Sequence, residues 1–391
     1  MKKEERNIKF KKLVDNIIGS IKQFRFLLFV FLMFLLITPL IQSKTNIIKL
    51  LPLKGAIVEP ENAKFSFKDW FSGDYQPKKE EYLNSAFGFR SIFVRINNQI
   101  AFNLFNQAKA NGVIIGKKNY LYEENYIKAY YGTDFIGKDS IENRFRKLKY
   151  ITDTLSKLNK NLITIFAAGK GSFYPEYFPE KYKTEKGETN LEWHVKLAKE
   201  YGLNFIDFNS YFLENKNTSK YPLYPEHGIH WSNYGTCLVA DSIIHYIENL
   251  RSIDMLELEW DNVRMNKASG VDYDIADGMN LLFRLKGQKL AYPEIYWKSD
   301  STIVKPSVLV ISDSFYWEMF NFGISNAFSK SHFWFYNKQI YPDSYEQALN
   351  TDQVDLMKEI ENHNVIIILG TEATMPGYGW GFIENCYNLF N

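Results

Sequence analysis

The sequence predicts an α/β fold: a parallel sheet covered by helices on both faces, preceded by one membrane-spanning helix. Three observations carry that expectation. Continuous apolar runs of strand length alternate with amphipathic, helix-length stretches from about residue 140 onward. Three of those runs stop in polar, turn-forming loops. An uncharged run over residues 26–41 follows a basic N-terminal stretch.

The first 25 residues hold Lys2, Lys3, Arg6, Lys9, Lys11, Lys12, Lys22 and Arg25 against three acids. "FLLFVFLMFLLITPLI" comes next, and with its flanks approaches the ~20 residues that span a bilayer. The basic flank should stay in the cytoplasm, which places the remainder outside. A cleaved signal peptide would want a small-residue site, and "ITPLIQSK" offers none of the A-x-A type. The reading is therefore a cytoplasmic tail over 1–25, an uncleaved anchor over 26–42 and a single pass through the inner (cytoplasmic) membrane. Residues 43–79 mix Pro, Gly, Lys and Asp without periodicity and read as a stalk. Residues 80–391 read as one extracytoplasmic, periplasmic domain.

Within that domain, "EEYLNSAFGFRSIFVRINNQIAFNLFN" has apolar residues at helical spacing. "GVIIGKKNYLY" reads as a hairpin turning at Gly116 to Asn119. "IENRFRKLKYITDTLSKLNK" is an amphipathic helix. "LITIFAAGKGS" is a buried strand ending in a Gly-rich loop. "LEWHVKLAKEYG" is a helix stopped by Gly202, "LNFIDF" a strand, and "WSNYGTCLVADSIIHYIENL" a long helix with Ser232 as N-cap. "SVLVIS", "FWFY" and "NVIIILG" are strands, with helices after Ser314 and over "TDQVDLMKEIEN". Ligands of such sheets sit beyond the carboxyl ends of the strands. The loops at 169–172, 312–314 and 370–372 converge there if their strands are neighbours.

Composition excludes several classes. At 391 residues with 46% apolar and 17% aromatic content, the chain is not disordered. Net charge is +2, much of it in the N-terminal stretch, so nothing marks a nucleic-acid binder. Two cysteines, Cys237 and Cys386, are free to pair in an exported protein but make no disulfide framework. The six histidines do not pair with cysteines at zinc-like spacing, so neither metal nor cofactor is expected.

"VLVISDSFYW" presents Ser314 where a strand turns into a helix. The first N–H groups of a helix lack internal partners and can hold an oxyanion. Ser or Asp at such a junction is also an ordinary helix cap. A serine nucleophile needs a base, and "YPLYPEHGIHWSNYG" supplies His227 and His230 in a loop before a helix. His194, His245 and His363 lie in or beside helices and read as structural. His332 opens a strand without a visible partner.

These blocks resemble a known family. "SDSF" resembles the Gly-Asp-Ser-[Phe/Leu] block of the SGNH hydrolase superfamily. "HGIHWSNYG" resembles the Asp-x-His-Trp block of its alginate O-acetyltransferase (AlgJ/AlgX-like) branch. "EEYLNSAFGFR", "GVIIGKKNYLY" and "DYDIAD" resemble further segments of that branch, in order, over roughly residues 71–374. The resemblance implies an SGNH-like three-layer fold and an anchored enzyme that acetylates hydroxyls of an exported polysaccharide. It implies a multipass membrane O-acyltransferase as the acetyl donor. It makes Ser314 the nucleophile and His230 the base, with the Ser314 N–H as first oxyanion donor and Gly171 and Ser172 as second. Trp231, Trp317 and Glu372 stand nearby as candidates for contact with sugar.

One departure is serious. The family's acid lies two residues before the histidine, where this chain has Gly228. Three readings stay open: Glu226 reaches back across the glycine, an acid from another loop such as Glu372 stands in, or the site is degenerate. The competing functions follow from this. One is an O-acetyltransferase, one a carbohydrate esterase on the same fold, and one a non-catalytic glycan-binding subunit of an acylation or export complex.

Overall fold

The computed structural model describes residues 2–55, 60–298, 302–341 and 349–391. Side chains before Gly19, and that of Ser20, lie outside that description, and with them most of the basic residues of the tail. Lys2–Thr45 is one helix, and its segment Ile21–Thr45, with mean hydropathy 2.5, is long and apolar enough to cross a membrane.

The chain divides into two compact units, residues 1–101 with 280–283, and residues 102–279 with 284–391. In the first unit, short helices Phe67–Ser72 and Tyr75–Ser85 occupy part of the segment read as stalk. Ser66 caps the former by accepting from the Asp69 N–H. The helix expected across residues 80–106 is interrupted, because Phe89 takes φ +67° before Arg90–Phe105 begins. The turn lies directly on the apolar helix: a Cβ at Gly88 would sit 2.1 Å from the Pro39 carbonyl oxygen.

The second unit carries the sheet. Its strands are β1 (Val113–Ile115), β2 (Leu121–Glu123), β3 (Asn161–Ala167), β4 (Asn204–Asp207), β5 (Glu257–Lys267), β6 (Lys289–Lys298), β7 (Ser307–Ser312), β8 (Lys330–Phe335), β9 (Gln339–Tyr341), β10 (Leu349–Asn350) and β11 (Val365–Thr371). β1 and β2 form the expected hairpin, turned by Lys118 and Asn119 at positive φ. The main sheet runs β10-β9-β8-β7-β11-β3-β4 and is parallel from β8 to β4. Antiparallel β9 and β10 extend one edge. The long hairpin β5–β6 stands apart from that sheet.

Burial explains why β3, β7 and β11 read as unbroken apolar runs. Leu162, Phe166, Leu309, Ile311, Ile366 and Ile368 face a core shared with Ile141, Phe145 and Leu148 of helix Lys138–Lys157. Phe382, Ile383 and Cys386 of helix Phe382–Phe390 join it. The alternate residues Ile163, Ile165, Val308, Val310, Ile367 and Leu369 are equally buried, so both faces of the sheet are covered. Both cysteines are buried and free, so the pair left open from the sequence does not form.

Candidate active site

β11 pairs with both β3 and β7, so the three strand ends singled out above are neighbours. Asp313, at the end of β7, fastens two of them. Its Oδ2 accepts from the Thr371 N–H at 2.9 Å and from Thr374 Oγ1 at 2.8 Å, and its Oδ1 from the Phe315 N–H at 3.0 Å. Burial pushes its carboxyl above the ordinary range, although these bonds oppose the shift.

Ser314 is not a cap. The helix Tyr316–Asn321 starts two residues later, with Phe315 at the cap position. The Ser314 hydroxyl turns instead to His230, with Oγ 2.9 Å from Nε2. His230 Nδ1 lies 2.7 Å from Asp274 Oδ2. The other Asp274 oxygen accepts from the N–H groups of Ile229 (2.9 Å) and Ile275 (2.6 Å), so one carboxylate fixes both the ring and its loop. Burial works against the imidazolium of His230. The hydrogen bond and charge of Asp274, with the nearby charges of Glu318 and Asp313, outweigh it and hold the pKa above the ordinary value.

The carboxylate that meets His230 is thus that of Asp274, in the "DYDIAD" segment, and not that of Glu226. The Glu226 carboxylate accepts from the Gln288 N–H at 3.2 Å and makes no bond to the ring. Its carbonyl, and that of Gly228, take the ammonium of Lys170 at 2.9 and 2.6 Å. Lys170 is fully buried, and burial lowers its pKa to about 7 against the pull of Asp274, Glu226 and Glu123. It pins the histidine loop from behind.

Gly228 has a physical reason. A Cβ there would lie 2.4 Å from the Val271 carbonyl oxygen and 2.8 Å from the Asp272 carbonyl carbon. The backbone that delivers Asp274 occupies the room an aspartate at 228 would need. Gly228→Ala should therefore cost about 1–3 kcal/mol of stability, as overpacking does, and displace Asp274 from the ring. Gly228→Asp should lower turnover rather than raise it. Thermal melting and turnover on the same preparations check both, and a gain of activity in Gly228→Asp would refute this account.

The expected second oxyanion donors are also corrected. The Ser172 N–H donates to Glu372 Oε1 at 3.1 Å, the Ser172 hydroxyl bonds the other carboxylate oxygen, and the Gly171 N–H faces the same carboxylate. Glu372 is 2% exposed and burial pushes its pKa up to about 7, so it neither contacts sugar nor serves His230. Gly169 makes room for it, since a Cβ would sit 2.1 Å from the Glu372 carboxyl carbon. Trp231 is fully buried, edge-on to Phe315 at 5.0 Å, and offers no face to a ligand. Trp317 is half-buried among Phe333 and Tyr341.

Tyr336 enters unforeseen. It follows β8 with φ +50°, and its N–H donates to the Ser312 carbonyl at 2.8 Å. Its hydroxyl lies against both the hydroxyl and the backbone N–H of Ser314. Burial, then the charges of Asp313 and Glu123, push its pKa up to about 12, which keeps it protonated. Two left-handed residues in succession, Tyr336 and Asn337, aim it there, and "FWFYN" spells no such turn.

Apart from this site, His332 does have a partner: its Nδ1 is 2.6 Å from Glu359 Oε2. With His363 these residues offer three ligand atoms within 4.8 Å of one another.

Residues 113–277 match a family model described as "SGNH hydrolase-like domain, acetyltransferase AlgX". The AlgJ/AlgX-like resemblance and the fold class expected from it are both met. The match includes His230 and Asp274 and ends before Ser314. Among solved structures, the O-acetyltransferase domain of Pseudomonas putida AlgJ is 13% identical, covering 71% of this chain and 99% of its own, with TM-score 0.45. Bacillus cereus PatB1 is 12% identical over 67% of this chain and 96% of its own, with TM-score 0.42. Pseudomonas aeruginosa AlgX is 12% identical over 66% of this chain and 55% of its own, with TM-score 0.38. No curated protein matches the chain.

Proposed function

We propose that this AlgX-like chain is a membrane-anchored serine O-acetyltransferase acting on hydroxyls of an exported polysaccharide. The observation that carries the reading is the unbroken hydrogen-bond chain Asp274–His230–Ser314. It favours a working site over a degenerate one, because Asp274 stands where Gly228 offers no carboxylate. The apolar helix Ile21–Thr45 would hold the enzyme in the cytoplasmic membrane with its catalytic unit on the outer, periplasmic side. A multipass membrane O-acyltransferase would deliver the acetyl group.

In the first half-reaction, His230 Nε2 takes the proton of Ser314 Oγ as that oxygen attacks the acetyl carbonyl of the donor. The Ser314 N–H, with the Tyr336 hydroxyl beside it, would receive the oxyanion that forms on the carbonyl, and such donors act most strongly in a water-poor site. The imidazolium, held by Asp274, returns its proton to the leaving group, and the acetyl ester of Ser314 remains. In the second half-reaction, His230 deprotonates a sugar hydroxyl. That oxygen attacks the ester carbonyl, and Ser314 leaves with the proton.

The test uses the full-length protein in detergent with p-nitrophenyl acetate. Wild type should gain one acetyl group, on the peptide carrying Ser314, and an added oligosaccharide should carry it away. Acetylation at Ser312, or none, would overturn the reading. The pH dependence has a definite sign. The base must be neutral, and its pKa is raised, so acetylation should rise with pH through a midpoint above the ordinary histidine value of about 6.5. A midpoint at or below that value would mean that Asp274 does not hold the ring in solution.

A further inference from the structure

Helix Arg90–Phe105, which opens in the first unit, turns polar side chains inward and apolar ones outward. Its buried residues are Asn98, Gln99 and Ala101. Polar groups fasten it: Gln99 Oε1 accepts from the Phe283 N–H at 3.0 Å, and Arg95 donates to the Pro52 carbonyl at 2.8 Å. Phe93, Ile96 and Ile100 are exposed instead. They stand three and four residues apart, which puts them on one face. A helix of a water-soluble unit turns such a stripe toward its core. Phe87, its ring 6.2 Å from that of Phe93, and Leu282 and Phe283 add exposed apolar surface in the same unit. A large exposed apolar surface marks a contact with protein or membrane.

The place of the face decides between the two. The helix follows the turn that holds Gly88, and that turn lies on the apolar helix. A Cβ at Gly88 would sit 2.1 Å from the Pro39 carbonyl oxygen and 2.9 Å from Gln42 Cβ. Gln42, 6% exposed, also holds the chain that leaves the apolar helix: it donates to the Ile48 carbonyl at 2.7 Å and accepts from the Ile48 N–H at 3.1 Å. Pro39 and Gln42 belong to the last turns of the segment Ile21–Thr45. At about 1.5 Å of rise per residue they lie within about 10 Å of its end. The apolar face thus starts at the end of the span remote from the basic tail, where hydrocarbon gives way to headgroups.

Composition agrees. The Phe65 ring meets those of Phe67, Trp70 and Tyr75 at 5.3, 5.8 and 5.4 Å, and Phe71, next to Trp70, is 83% exposed. Exposed Lys64, Lys68 and Lys78 are interspersed with these rings along the chain. Aromatic rings among lysines suit the membrane–water interface, where rings sit at headgroup level and ammonium groups reach outward.

We propose that the face formed by Phe93, Ile96 and Ile100 lies in the outer leaflet of the membrane, a second attachment of the first unit beside the span. The proposal rests on the membrane-spanning reading of Ile21–Thr45. The occupant is lipid, and the attachment is that of an interfacial helix lying in the plane of the bilayer.

The experiment uses the full-length protein in nanodiscs of phosphatidylethanolamine and phosphatidylglycerol. A nitroxide is placed on one of four variants: Phe93→Cys, Ile100→Cys, Leu32→Cys within the span, or Lys157→Cys on exposed surface of the second unit. Cys237 and Cys386 are buried and stay unlabelled. Relaxation by oxygen, which partitions into lipid, is compared with relaxation by a water-soluble nickel chelate. Labels at Phe93→Cys and Ile100→Cys should favour oxygen, as at Leu32→Cys, while Lys157→Cys should favour nickel. If the first two follow Lys157→Cys while Leu32→Cys stays in lipid, the proposal is overturned and the span stands. If Leu32→Cys favours nickel, the span reading fails and this one fails with it. Shielding of Phe93→Cys and Ile100→Cys from both reagents would mean that protein, such as a second copy of this chain, covers the face, and would refute the lipid assignment. A further variant, Phe93→Glu/Ile100→Glu, changes exposed side chains only. Its melting temperature in detergent and its acetylation by p-nitrophenyl acetate should match wild type. In that background a label at Ile96→Cys should shift from oxygen toward nickel, and an unshifted label would overturn the proposal.

Discussion

Ser314→Ala should lower acetyl transfer by about four to six orders of magnitude, the range over which serine triads lose their nucleophile. The fold should persist. Ser314 is only half-buried, and its hydroxyl bonds His230 and faces Tyr336 rather than a backbone group of the helix. Melting temperature should therefore stay close to wild type while covalent acetylation disappears. The measurement is mass analysis of the protein after exposure to an activated acetyl ester, alongside a thermal melt. Acetylation that persists at the same rate would place the nucleophile elsewhere. Ser312 is a poor substitute, because it is fully buried within β7.

Asp274→Asn should cost about 10⁴-fold in turnover, since an amide cannot hold the imidazole in the needed tautomer or stabilise its cation. Glu226→Gln should change turnover little, because that carboxylate accepts from the Gln288 N–H and, among the described residues, makes no bond to His230. The pair separates two readings that the sequence leaves open. The pH profile adds a signature beyond damage to the fold. Removing the Asp274 charge removes what holds the His230 pKa up, so the residual activity of Asp274→Asn should reach half-maximum at lower pH than wild type. If instead Glu226→Gln proves the costly change, the 2.7 Å contact between Asp274 and His230 does not form in the working enzyme.

Much of the sheet was legible because it is buried on both faces. Such strands are apolar at every position, and β3, β7 and β11 announce themselves. The hairpin β5–β6 went unread, because half-exposed strands such as "ELEWDNVRMNK" carry a weak, charge-broken alternation. Ser314 and His230 were legible because each sits at a junction with its own local spelling. Asp274 is not: the pairing with His230 spans 44 positions, and nothing local at either end encodes it. Trp231 misled for a related reason. An aromatic beside a catalytic histidine looks like a sugar platform, yet this one fills the space under Phe315.

The pairing of Gly228 with Asp274 has a consequence for which substitutions the chain can accept. In a chain with aspartate two positions before the histidine, acid and base would ride on one loop and could be inherited together. Here they are two separate loci whose states depend on each other. A side chain regained at 228 would collide with the backbone at Val271 and Asp272, and loss of Asp274 alone would strand the histidine. Either single substitution therefore disturbs the contact between Asp274 and His230. The arrangement ties two distant positions together: what can stand at 228 is set by the backbone that carries Asp274 to the histidine.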